Sequence, residues 1–384
     1  MQKFRVGVLG LGYIGVSHVD ALRRIPGVEL VAVTDVNADA ARKKAEEFGL
    51  TAYETIDELL ADKTIDVVHN CTPNHLHMEF NKKIIESGKH LFSEKPLARD
   101  YCEAEELLKV AAAHPDVVCG VNFNYRMNPM VQEMRRRVEK GEIGKVFIAS
   151  GAYQQDHLMY DTDYNWRLEK EYSGKANTVA DIGSHWMDAV QHITGQKIVA
   201  VMADLVTTFP YRKKPVKQAA TFTDNATEQY ELRKIETEDY AAVLFKLSGG
   251  ATGVYHVSQV SAGHGCCFGI ELNGSKSSMR WNQEENDRLW MGFRKEDNRY
   301  IIRNPNTIDP SVRCHTNLAK GHPEGWNDAF CGNIRAFYNY IRSDRKVKPI
   351  FATLEDAAYI VKLTEAIVQS SEEKRWISID ELKY

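Results

Sequence analysis

The chain has 384 residues, of which 27% are charged and 43% hydrophobic, and its formal net charge is −4. That length leaves room for two or three domains with sizeable cores. The near-balanced charge offers no basic field for nucleic acid or an anionic membrane, so neither partner is expected.

Seven cysteines scattered through so long a chain do not resemble a disulfide framework. No stretch reaches the ~20 apolar residues that span a bilayer. The opening MQKFRVGVLG breaks its apolar run with glycine, unlike a signal peptide, so a cytoplasmic protein is expected. The basic runs MRRRVEK (134–140) and YRKKPVK (211–217) are short and read as solvated faces or loops.

Phe4 to Leu9 reads as a strand, and Gly10, Gly12 and Gly15 then spell G-x-G-x-x-G. A helical pattern follows and ends at Pro26-Gly27. VELVAVTD (28–35) reads as a second strand ending on Asp35. In this setting the glycines form a dinucleotide-binding turn. Gly10 permits the tight turn, Gly12 lets backbone N–H groups approach a pyrophosphate, and Gly15 allows close helix–strand packing. The helix N-terminus favours the anion. Asp35 would accept hydrogen bonds from the ribose hydroxyls and repel a 2′-phosphate. NAD is therefore expected rather than NADP.

Alternation continues through IDVVHNCTP, HMEFNKKIIESG, KHLFSEKP, YCEAEELLKVAAAHP and VVCGVNF. Such β/α alternation predicts a doubly wound parallel sheet over residues 1–122, an NAD-binding Rossmann domain. Ligands then lie beyond the strands' carboxyl ends, where CTPNHLH (71–77), SEKP (93–96) and NFNYR (122–126) fall. Lys95, held extended by Pro96, is either a functional or a surface lysine on this ground alone.

From residue 123 to 384 the pattern changes to that of a second α/β domain. NPMVQEMRRRVEKGEIG and VADIGSHWMDAVQHITG read as helices. KVFIASGAYQQD and six later strand-like runs suit a large, mainly antiparallel sheet. Residues 209–235 read as a loop. GWNDAFCGNIRAFYNYIRS and TLEDAAYIVKLTEAIVQSSEE close the chain as helices.

Within DIGSHWMD, Asp181 and His185 stand four residues apart. By spacing alone they read first as a helix N-cap and a packed core histidine, with an acid–base pair as the second reading. Metal ligation is the third reading. HLH (75–77), GHGCC (263–267) and HP (322–323) offer ligands, but none has zinc-finger or H-E-x-x-H spacing, so no metal is expected. Cys266 and Cys267 read as packing residues on opposite faces of a strand.

GLGYIG, CTPNHLH, SEKPLA and DIGSHWMD, in this order, resemble the glucose–fructose oxidoreductase / inositol dehydrogenase / rhizopine-catabolism (Gfo/Idh/MocA) family, and the likeness covers essentially the whole chain. NWR (165–167) and GHPEGW (321–326) are most similar to its long, levoglucosan dehydrogenase-like sugar dehydrogenases.

The resemblance implies hydride transfer between NAD and a secondary hydroxyl of a sugar, anhydrosugar or cyclitol. It implies that Lys95, Asp181 and His185 are catalytic and touch substrate. Histidine exchanges protons near neutral pH, which suits His185 as the base. By family position, Tyr13, Ile14, Thr72, Pro73, Asn74, His77, Glu94, Lys95 and Asn122 join Gly10, Gly12, Gly15 and Asp35 around the cofactor. Trp166 and Arg167 reach cofactor or substrate. Tyr125, Arg126, Gln155, Asp156 and His322 are candidate sugar contacts. The resemblance also implies a homodimer or homotetramer that covers the open sheet. Two alternatives remain: a redox-neutral glycosidase-type enzyme with bound NAD, and a non-catalytic NAD sensor.

Overall fold

The computed structural model describes residues 2–216 and 229–382. The chain divides into two compact units, Met1–Met127 with Trp326–Tyr359, and Asn128–Gly325 with Ile360–Tyr384.

Unit 1 is built on six parallel strands: β1 (Phe4–Leu9), β2 (Val28–Thr34), β3 (Thr51–Ala52), β4 (Val67–Asn70), β5 (His90–Ser93) and β6 (Cys119–Val121). Their order, β3-β2-β1-β4-β5-β6, reverses direction beside β1, and that is where such sheets bind dinucleotides. The strands are near-continuous apolar runs because helices bury both faces.

One covering helix comes from far along the chain. Trp326–Arg342 places Phe330, Ile334, Phe337 and Tyr338 in the same core as Phe4, Val6, Val8 and Phe92. Ala352 bridges to Val121 at the sheet edge. The division expected at 122/123 therefore differs from the contact-defined one. A helix 200 residues further on has the apolar stripe this sheet needs, and a boundary drawn on local pattern cannot reveal that.

Unit 2 carries strands β7 (Val146–Gln154), β8 (Ile198–Val206), β9 (Tyr211–Pro215), β10 (Tyr230–Lys234), β11 (Tyr240–Leu247), β12 (Thr252–Ser258), β13 (Cys267–Gly274), β14 (Ser278–Asn282), β15 (Arg288–Gly292), β16 (Arg299–Ile302) and β17 (Ile377–Ser378). Nine of them form one sheet, β16-β15-β14-β13-β7-β12-β11-β8-β17. Every neighbouring pair is antiparallel except β12 with β7. Burial alternates along β11 and β12, as the period-2 pattern requires. On the buried face Trp186 stacks on Tyr255 with ring centroids 4.4 Å apart, and its indole N–H donates to the Gly269 carbonyl at 3.0 Å. The other face leaves Phe147, Ile148, Leu244, Val254 and Tyr300 exposed.

The loop expected at 209–235 is corrected in part: β9 and β10 pair as an antiparallel hairpin, while 217–228 lie outside the described residues. The hairpin lacks apolar alternation, which hid it. Its anchor is instead the fully buried Arg212, whose guanidinium donates to Asp239 at 3.2 Å and to the Leu158 and Tyr160 carbonyls.

Candidate active site

In unit 1 the glycine turn obeys tight steric limits. Gly10 has φ +88°, and a Cβ there would lie 2.8 Å from the Cys71 backbone. A Cβ on Gly15 would lie 2.0 Å from the Gly10 carbonyl oxygen. At Gly12 a Cβ would meet nothing within 4 Å, so the helix Tyr13–Arg23 opens onto free space at its N-terminus, with no side-chain cap. A helix N-terminus without a side-chain cap suits an anion.

Asp35 follows β2 directly. Its Oδ2 accepts the Leu11 N–H at 2.7 Å and its Oδ1 the Asn37 N–H at 2.9 Å. The carboxylate thus pins the glycine turn and retains lone pairs for a further donor. Tyr13 is exposed, while Ile14 packs on the core.

Past β4, Thr72 Oγ1 donates to Asn70 Oδ1 at 2.7 Å. Pro73 precedes the helix Asn74–Glu86, which begins at the buried Asn74. His77 is buried with both ring nitrogens against carbonyls, Pro96 at 2.6 Å and Thr72 at 2.7 Å. Burial lowers its pKa against the pull of those carbonyls. The ring expected at the cofactor is thus engaged in tying the CTPNHLH and SEKP loops together.

Glu94 is buried too, and its Oε1 accepts from Asn122 Nδ2 at 2.6 Å and pairs with His18 Nε2 at 2.9 Å. Burial alone would raise its pKa, but the bonds from His18 and Asn122 and the charge of Lys95 outweigh it, so the carboxyl lies below its usual range. Lys95 is half-buried, and its peptide to Pro96 is cis. Tyr125 and Arg126 are buried on a short 3-10 turn, and Arg126 pairs with Asp356 at 3.1 Å. This candidate sugar contact is therefore held within unit 1 by an acid from the C-terminal stretch.

In unit 2 the expected helix is two helices in series. Val179–Gly183 is a π-helical turn that runs into the α-helix Ser184–Thr194. π-turns of this kind recur at functional sites. Asp181 lies inside the π-turn rather than at an N-cap, while His185 is buried in the first α-turn beside the Tyr153 ring.

The main anchors of this segment come from loops that flank distant strands. Gln259 Nε2 donates to Asp181 Oδ2 at 3.1 Å, and its Oε1 accepts from Asn177 Nδ2 at 2.8 Å. Glu238 accepts the Val179 N–H at 2.8 Å and the Asn177 N–H at 3.1 Å. Burial pushes the Glu238 carboxyl up to about 7 despite those bonds. Spacing within DIGSHWMD carries no signal of Gln259, Asn177 or Glu238, since each lies outside the segment it holds.

Arg167 stacks 4.5 Å over the Trp166 ring and places Nε 3.8 Å from Asp181 Oδ1, so these three expected residues converge. Gln155 and Asp156 follow β7 and are fixed by the next loop. The Ser261 N–H donates to the Gln155 carbonyl at 2.9 Å and the Gly263 N–H to Asp156 Oδ2 at 3.2 Å. His322 lies on an exposed loop whose carbonyls are gathered by the buried Arg303. Cys266 precedes β13 and has its Sγ 3.1 Å from Tyr153 Oη, and Cys267, the first residue of β13, lies with His264 and Glu284, ligand atoms within 4.8 Å of one another.

Parallel order and glycine turn define a dinucleotide-binding domain, and comparison with known proteins makes it that of an NAD-binding oxidoreductase. A family model described as an oxidoreductase family with an NAD-binding Rossmann fold matches residues 4–123, and the Gfo/Idh/MocA C-terminal domain matches 131–280. Levoglucosan dehydrogenase of Pseudarthrobacter phenanthrenivorans is 27% identical over 100% of both chains. Myo-inositol 2-dehydrogenase of Thermotoga maritima is 25% identical over 98% of this chain and 99% of its own. The crystal structure of an oxidoreductase domain protein from Kribbella flavida matches with a TM-score of 0.88 and 28% identity, covering 99% of this chain and 100% of its own. The chain belongs to the Gfo/Idh/MocA oxidoreductase family.

Proposed function

We propose that this protein is an NAD-dependent dehydrogenase that moves a hydride between the nicotinamide and a secondary hydroxyl of a sugar, anhydrosugar or cyclitol. The observation that carries it is the open helix N-terminus at Gly12 beside a turn pinned by Asp35. A 2′-phosphate beside the Asp35 carboxylate would meet repulsion, which supports NAD over NADP.

The nicotinamide supplies the hydride chemistry, and the protein supplies orientation and proton handling. His185 takes the hydroxyl proton during oxidation and returns it during reduction. Lys95 donates a hydrogen bond to the reacting oxygen and stabilises its developing negative charge. Asp181, held by Gln259, orients the substrate. Polyols present C–H faces and many hydroxyls, which the Trp166–Arg167 stack and the Gln155–Asp156 turn suit.

The test is an NADH-absorbance screen across sugars, anhydrosugars and cyclitols, with His185→Ala as control. Turnover of at least one polyol by the wild type, lost in the variant, is the expected result. NAD that copurifies and is never released as NADH would favour the redox-neutral alternative. The family likeness to dehydrogenases and the apolar open face of the nine-stranded sheet support a homodimer or homotetramer. Sedimentation of a monomer alone at micromolar concentration would overturn that part.

A further inference from the structure

Three buried polar groups of unit 1 that the dehydrogenase reading does not use form a chain ending on Glu94. Tyr338 Oη stands 2.9 Å from His69 Nε2. His69 Nδ1 stands 2.8 Å from His18 Nδ1. His18 Nε2 stands 2.9 Å from Glu94 Oε1. His18, His69 and Tyr338 have no solvent exposure, and the rings of Phe92 and Phe330 close around them. Apolar packing alone would not place two imidazoles in such a core, because burying an unsatisfied polar group costs roughly 1–3 kcal/mol.

The proton positions follow from the partners. Ionised Glu94 only accepts, so His18 carries its proton on Nε2. A neutral His18 then offers a lone pair at Nδ1, which the His69 Nδ1–H fills. His69 Nε2 is left as an acceptor, and the Tyr338 hydroxyl donates to it. Burial holds His69 well below its ordinary pKa and holds the Tyr338 phenol well above its own. His69 is therefore neutral, and with an Nε2–H His18 beside it every facing atom is satisfied and all three bonds point toward Glu94.

We propose that Tyr338, His69 and His18 form a one-directional hydrogen-bond chain that positions Glu94, and with it Lys95, for the cofactor and the reacting oxygen. Oε1 of Glu94 is filled by His18 and by Asn122, and Asn122 is itself fixed by Asn333 Nδ2 at 2.9 Å. Oε2 accepts the Lys95 backbone N–H at 3.2 Å, so the carboxylate sets the start of the Lys95–Pro96 segment. Cys71 and His77 are the other titratable groups that feel this charge, and neither bonds to it.

The proposal rests on unit 1 binding NAD, so NAD+ affinity is measured by calorimetry between pH 6 and pH 8. Wild type is expected to bind with little pH dependence, because Glu94 is held ionised throughout. In His18→Leu the bond that lowers the Glu94 pKa is gone and burial raises it. Affinity should then fall roughly ten- to hundredfold toward pH 6 and recover in part at pH 8. Tyr338→Phe removes one oxygen at the far end, and a smaller loss with the same pH trend is expected. It keeps the test readable if His18→Leu does not fold.

Nitrogen NMR of histidine-labelled wild type should show an Nε2–H tautomer for His18 and Nδ1–H for His69. Folded variants with unchanged, pH-independent affinity, or an imidazolium at His18, would overturn the proposal. A wild type that does not bind NAD+ would instead remove the functional reading on which it rests.

Discussion

In unit 1 the groups expected at the cofactor hold one another through loops that all leave the same edge of one sheet. Asp35 caps the turn after β1, His77 joins the loops after β4 and β5, and Asn122 after β6 reaches Glu94. In unit 2 the corresponding segment is held from outside. Gln259, past β12, holds Asp181, and Glu238, just before β11, satisfies the first donors of the π-turn. A dinucleotide turn is thus local chemistry written in adjacent residues, whereas the helical segment that carries Asp181 and His185 takes its anchors from loops far along the chain.

The largest effect expected tests the reactive side of that contrast. His185→Ala, and separately Lys95→Ala, should lower kcat by roughly 10²–10⁴ while NAD+ affinity changes little in His185→Ala. Steady-state kinetics with a confirmed substrate checks this. Values within a few-fold of wild type would remove the proton-handling assignment.

The glycine turn gives a sharper paired test. Gly15→Ala forces a Cβ to 2.0 Å from a backbone oxygen, so the turn must shift and both stability and NAD+ binding should suffer. Gly12→Ala meets nothing in the protein, so its melting temperature should match wild type. Its NAD+ affinity should still drop by an order of magnitude or more, because the methyl fills space the pyrophosphate needs. Equal affinity in Gly12→Ala would mean that the phosphates do not lie there.

A smaller effect is expected from the remote anchor. Gln259→Leu removes one bond to the Asp181 carboxylate, worth about 1.5–3 kcal/mol for a charged acceptor, much of which water can restore at a half-buried site. A fall in kcat/KM of about tenfold, with NAD+ affinity unchanged, is the expected reading. An unchanged kcat/KM would show that Asp181 needs no such support.

The sequence is readable where a short segment dictates its own geometry. Gly10, Gly12 and Gly15, with Asp35 at the end of β2, specify both the turn and its ligand, and the strand alternation specifies the parallel order. The β9–β10 hairpin was hidden because Arg212, not an apolar face, anchors it. His77 shows a second limit. Its place in CTPNHLH suggests a cofactor contact, but gives no sign that the fold also sets its ring between the Pro96 and Thr72 carbonyls. The π-turn at Asp181 was equally hidden, since an i→i+5 bonding pattern has no periodicity distinct from a helix over five residues. His18 and His69, on a helix and a strand 51 residues apart, read singly as ordinary core residues until the fold brings them face to face.

Glu238 is the smallest and most specific test of the remote-anchor idea. Its carboxyl ionises near 7 in the folded chain, against an ordinary value of 4.5, because burial outweighs the N–H bonds it accepts. Between those values the folded state holds a proton that the unfolded state has released, so stability falls as pH rises through that window and levels off above it. Glu238→Gln keeps an acceptor for the π-turn and cannot ionise. Its melting temperature should exceed wild type by a few degrees at pH 8 and converge with it near pH 5. Parallel pH curves for the two proteins would show that Glu238 does not titrate in this window.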